Sequence, residues 1–151
     1  MTVNLLFGPP ESSDFSWFFA LDGPHVVCGG TTAEQVASFL KEKLVLKLKY
    51  VNSAVPPTYQ IKGVDLVTEG IVTMSCVLEK FKSKAFVSDS QDGASLIYKF
   101  LMEATDVNFF VGKLENPANK SFKALKSKFE LVSSIASYLH ILGKITEVRE
   151  V

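Results

Sequence analysis

Short apolar runs alternate along this chain with longer stretches in which apolar residues recur every three or four positions. Val3 to Phe7 is the first run, closed by Gly8-Pro9-Pro10, which predicts a strand and a forced turn. Ser12, Ser13 or Asp14 can then cap a short helix carrying Phe15, Phe18 and Phe19 on one face. His25 to Cys28 reads as a second strand. Past Gly29-Gly30, the residues Ala33, Val36, Ala37 and Leu40 keep the spacing of an amphipathic helix, and Thr31 with Glu34 has the spacing of a capping box. Leu44 to Val51 alternates leucine and lysine, which predicts a strand with one wet face near a sheet edge.

Val55-Pro56-Pro57 interrupts the pattern without being long enough for a domain linker. Val64 to Val67 forms the next strand core, and Ile71, Met74, Val77, Leu78 and Phe81 continue with helical spacing. Asp89 can cap a helix bearing Ala94, Ile97, Leu101 and Ala104, and Val107 to Val111 is a strongly apolar strand. The longest helix carries Phe122, Leu125, Phe129, Val132, Ala136 and Leu139, with Gly143 as a stop signal and Ile145 to Val148 as the last strand. Strands joined by helices of about ten residues imply a mainly parallel sheet. The expected fold is therefore a single α/β domain over residues 1–151, a three-layer Rossmann-like open sheet with helices on both faces.

Composition narrows the functions open to such a domain. Sixteen basic and sixteen acidic residues cancel, so nucleic-acid binding, which draws its affinity from neutralised phosphates, is not expected. The lysines at 120, 123, 126 and 128 are read as the wet face of a helix. No apolar run approaches the roughly 20 residues that cross a bilayer, and the first residues carry neither a basic leader nor a cleavage site. A cytoplasmic setting is expected, with Cys28 and Cys76 reduced and buried. His25 and His140 stand alone, with no partner at metal-ligand spacing.

In a parallel sheet, ligands bind beyond the carboxyl ends of the strands, and that is where the unusual residues fall. Gly8-Pro9-Pro10, Gly29-Gly30-Thr31-Thr32, Thr68-Glu69-Gly70 and Gly112 with Asn116 each follow a strand, and Asp65 lies in the third of these strands. Glycines let a ligand approach the backbone, helix starts offer unpaired N–H groups, and threonine hydroxyls add donors. The candidate ligand-binding set is Gly29, Gly30, Thr31, Thr32, Asp65, Thr68, Glu69, Gly70, Gly112 and Asn116. The spacing matches neither the dinucleotide fingerprint nor a phosphate-binding loop, so ordinary turn and cap roles compete with this reading.

Two blocks together, V-V-C-G-G-T-T-A-E-Q-V-A (26–37) and P-P-T-Y-Q-I-K-G-V-D-L-V-T-E-G-I-V-T-M (56–74), resemble a region that follows the catalytic domain of bacterial stage II sporulation protein E (SpoIIE)-type serine/threonine phosphatases. V-N-L-L-F-G-P-P (3–10), D-G-A-S-L-I-Y-K-F-L (92–101) and N-F-F-V-G-K-L-E-N-P-A (108–118) resemble its other segments, so the likeness spans nearly the whole chain. The resemblance implies either a module cut from a longer phosphatase, with a covalently attached catalytic domain before Met1 whose aspartates would hold manganese or magnesium, or a free-standing relative of that module. None of the six aspartates here stands in those metal-binding signatures, so no catalytic residue and no cofactor is assigned to this chain.

The expected function is an accessory module that binds a small anionic or polar ligand at the strand-end rim. A second possibility is an interaction or homodimerisation module, suggested by Phe15, Trp17, Phe18 and Phe19 in one short helix. A third is a stand-alone enzyme acting on a nucleotide-like substrate through Asp65 or Glu69, although nothing supplies the nucleophile, metal or cofactor that would complete it.

Overall fold

The computed structural model describes residues 1–47, 56–83, 92–114 and 122–151, with the backbone alone for 122–127. β1 (Thr2–Phe7) lies inside the sheet because both of its faces are apolar. Val3, Leu5 and Phe7 point into one core, and Leu6 into the other. β2 (His25–Cys28) and β6 (Asp106–Val111) flank it in parallel. β5 (Leu66–Thr68) adds to β2, and β7 (Ile145–Glu150) adds to β6, both parallel. β3 (Val45–Leu46) and β4 (Tyr59–Gln60) form a short antiparallel edge, which gives seven strands in the order β3-β4-β5-β2-β1-β6-β7.

Helices cover both faces, as the alternation of strand and helix predicts. α1 (Ser16–Phe19) and α2 (Gly30–Leu40) pack with Leu6, Val27, Val67 and Phe110 on one side. α3 (Ile71–Ser83), α4 (Gly93–Glu103) and α5 (Phe122–Ile141) close the other side over Leu5, Val26 and Phe109. The chain therefore travels outward from β1 to β2 and β5 beneath one helical layer, then returns through the opposite layer to β6. The direction reverses between β1 and β6, the place where open α/β sheets usually carry a ligand crevice.

Several expectations shift in detail. β4 was not foreseen: two residues give too short a run for alternation to register. The strand expected from Val64 begins at Leu66, after a turn in which the Val64 N–H donates to Ile61 O. The expected strand from Leu44 is formed at Val45–Leu46 on the sheet edge, and its continuation lies outside the described residues. Asp92, not Asp89, caps α4, with its carboxylate accepting the Ser95 N–H at 2.8 Å; Asp89 itself lies outside the described residues.

The inner face of α5 also differs from the expected ladder. Phe129 is exposed while Ile135 is fully buried, and Lys128, expected on the wet face, is only 5% exposed. Of the four aromatic residues at α1, Phe15 and Phe18 are buried, while Trp17 and Phe19 are half-buried, Trp17 packing edge-on to Phe110 with ring centroids 4.8 Å apart. Gly143 does end the last helix, in a left-handed conformation with φ 85°.

The ends of β1 and β6 approach each other closely. The Gly112 N–H donates to Phe7 O at 2.8 Å, and a β-carbon at Gly112 would overlap the carbonyl oxygens of Gly8 and Pro9. Because those atoms are backbone, they cannot swing aside. Gly112→Ala is expected to cost about 3 kcal/mol in urea unfolding, the scale of a forced overpacking; a loss below 1 kcal/mol would show that the two corners can separate.

Candidate functional site

The four glycine-bearing corners fall on one rim, since β1, β2, β5 and β6 all run the same way. Much of the backbone there is nevertheless consumed internally. The Gly8 N–H donates to Cys28 O at 3.1 Å, and the Gly29 N–H to Thr68 O at 2.9 Å, extending the sheet ladder beyond the strands. Together with the Gly112 bond to Phe7, these links hold the corners against one another.

Lys128 completes the closure between β1 and β6. Its stem is buried, and its ammonium donates to Gly112 O at 3.0 Å and Leu114 O at 3.2 Å. A β-carbon at Gly8 would run into the same ammonium. The usual crevice is thus filled by a side chain of α5. Isolated ammonium groups are costly to bury, and here the carbonyl oxygens supply the compensation.

The other half of the rim is built differently. Gly29, at φ 124°, is the N-cap of α2, and its carbonyl accepts the first helical bond from Ala33 at 2.9 Å. Gly70 does the same for α3, accepting from Met74 at 3.0 Å. A β-carbon on Gly70 would sit 3.5 Å from Gly29 Cα, so the two helix starts touch. A helix start in general leaves its first N–H groups without intrahelical partners and carries roughly half a positive charge. Glycine caps bring no side-chain acceptor to satisfy those donors, and α2 has no side-chain cap bond.

Around this double start lie a carboxylate and several hydroxyls. Glu69 joins β5 to α3, and its Oε2 is 3.7 Å from where a Gly30 β-carbon would stand. The Tyr59 hydroxyl from β4 donates to Glu69 Oε1. Thr68 is buried, and its hydroxyl donates to Glu69 O at 2.8 Å. Thr32 and Thr73, each the third residue of its helix, are fully buried, and their hydroxyl oxygens have no hydrogen-bond partner. The Thr32 oxygen lies 3.1 Å from the β-carbon position of Gly29, directly under the turn. α4 also begins here: a β-carbon on Gly93 would lie 3.1 Å from Thr68 Cγ2 and 3.3 Å from Thr58 Cγ2.

Of the ten residues expected at a site, Gly29, Gly30, Thr31, Thr32, Thr68, Glu69 and Gly70 are gathered at the paired starts of α2 and α3. Gly112 is on the rim but inside the sealed half. Asp65 is on the opposite edge: it precedes β5, and its Oδ2 accepts the N–H of His25, the first residue of β2, at 2.7 Å. That placement gives it a structural role in starting two strands. Asn116 lies outside the described residues. Thr31 is not the N-cap that the expected capping box requires, because that place is taken by Gly29, two residues earlier, and Glu34 is exposed.

Lys128 and Tyr59 are the residues that sequence reasoning missed. A lysine among other lysines reads as solvated, and Tyr59 sits in a strand of two residues. His25 is structural as expected, its Nε2–H donating to Phe18 O at 2.8 Å, and His140 is exposed in the last turn of α5.

Burial pushes the Cys28 thiol up from 9.0 to about 12, against a smaller opposing effect from the Thr68 hydroxyl, so it stays protonated and inert at neutral pH. Cys76, expected to be buried, is partly exposed; burial first, then the nearby Asp92 carboxylate, raises its pKa. Among the described residues no group of three or more His, Cys, Asp or Glu side chains is placed to hold a metal ion, and no helix is long and apolar enough to cross a membrane. The chain matches no protein-family model, no curated protein and no solved structure, so its own geometry carries the functional reading.

Lys128→Met keeps the buried stem and removes the ammonium, leaving the carbonyls of Gly112 and Leu114 without that donor. The expected cost is about 2 kcal/mol in urea unfolding. An unchanged midpoint would mean that the lysine is not what closes this half of the rim.

Proposed function

We propose that this chain is an accessory module of a SpoIIE-type serine/threonine phosphatase, binding a small polar ligand with an anionic group at the joined starts of α2 and α3. The phosphatase connection is supported by the sequence blocks 26–37 and 56–74. The ligand reading is supported above all by one observation, the contact of two glycine-capped helix starts at Gly29 and Gly70. Two sets of backbone donors there favour an anion. Glu69, with Tyr59 behind it, offers an acceptor beside them and favours a ligand that also carries hydroxyl or amino groups.

Gly30 is the cleanest position at which to test this. It has ordinary helical geometry, and among the described residues a β-carbon would meet only the Glu69 carboxylate, at normal contact distance. Gly30→Val therefore preserves the fold while filling the approach to the N–H groups. A thermal-shift screen of nucleotides, sugar phosphates and phosphorylated amino acids is expected to yield a compound that raises the melting temperature by about 5 °C at a hundredfold excess over its Kd. Gly30→Val should abolish that shift, and Glu69→Gln should weaken binding about tenfold, the scale of one charged hydrogen bond. No active compound in the panel, or equal binding by Gly30→Val, would refute the reading.

A further inference from the structure

β7 is the outermost strand on its side of the sheet, and among the described residues no strand pairs with its outer edge. Its ladder with β6 shows which backbone groups remain free. The Ile145 N–H donates to Thr105 O and the Val151 N–H to Val111 O, while Val151 O accepts from Lys113. With the register Val107↔Thr146 and Phe109↔Val148, odd-numbered residues of β7 bond inward and Thr146, Val148 and Glu150 present N–H and C=O outward. The side chains of Ile145, Glu147 and Arg149 are exposed on the face opposite α5, and Val148 packs on the α5 side.

We infer that this edge is a self-pairing surface, on which β7 of a second copy of the chain docks antiparallel about a two-fold axis at Val148. Antiparallel pairing must set outward-facing residues opposite one another, so only a few centres are possible. A centre at Glu147 puts glutamate against glutamate, and a centre at Arg149 puts arginine against arginine. A centre at Val148 places Glu147 opposite Arg149 of the second copy twice over, pairs valine with valine on the axis, and sets Thr146 opposite Glu150. Both partners of the pair already meet within one chain, with Arg149 Nη2 2.8 Å from Glu147 Oε2, so the exchange keeps each charge matched. Charged side chains or a proline blunt an edge against association; here the charges alternate in sign, in the order that a single register satisfies.

The interface is a strand edge and not a large apolar face, so the dimer is concentration-dependent. Sedimentation velocity of the full chain over a concentration series is expected to show monomer shifting to dimer. Glu147→Arg and Arg149→Glu each create two like-charge contacts and should weaken association about tenfold or more. The double variant Glu147→Arg with Arg149→Glu restores opposite charges in the same register and should recover dimerisation. Val148→Pro removes an outward N–H without touching the ladder to β6, and should leave a folded monomer by circular dichroism. A chain that stays monomeric throughout, or a dimer that the reversals do not weaken and the double variant does not rescue, overturns the inference.

Discussion

The end of β1 against the end of β6 is the constraint on which the rest of the rim depends. There the Gly112 amide closes onto Phe7 O, with no room for a side chain at Gly112, and the Lys128 ammonium draws Gly112 and Leu114 inward. In most open α/β sheets the connections beyond the strand ends diverge to opposite faces at this reversal and leave a crevice. Here backbone and a buried cation fill it. The glycine corners after β2 and β5 lie two strands away from this filled point.

α2 and α3 lie in opposite helical layers, yet their first residues touch because β2 and β5 are neighbours and both turns are capped by glycine. A residue with a β-carbon at Gly70 would press on Gly29 Cα and the Phe7 ring. The close approach concentrates two helix dipoles, and Glu69 provides a carboxylate at the same place. Buried hydroxyls at Thr32 and Thr73, one under each helix start, repeat the arrangement on both sides.

The fold was largely legible because its signals are local. Gly8-Pro9-Pro10, Gly29-Gly30 and Gly143 mark real turns, and helices of ten or more residues between strands permit little besides parallel pairing. The gathering of corners followed from that topology alone. What escaped depends on distant partners. Lys128 is distinguished from its neighbouring lysines only by carbonyls 14 and 16 residues away. Asp65 was placed on the wrong edge because the strand starts one residue after it, and its partner, the His25 amide, is 40 residues distant. Thr31 looked like a cap because the start of the helix could not be told to within two residues; Gly29 took that place.

The central claim is that the rim is sealed at β1 and β6 and receptive at α2 and α3. The most direct measurement is a two-dimensional amide NMR titration of the 15N-labelled chain with inorganic phosphate, the simplest anion for a helix start. The account predicts shift changes concentrated on Gly30, Ile71 and Val72, with Gly8 and Gly112 unmoved. Changes centred on Gly8 and Gly112, or spread evenly over surface lysines, would contradict it.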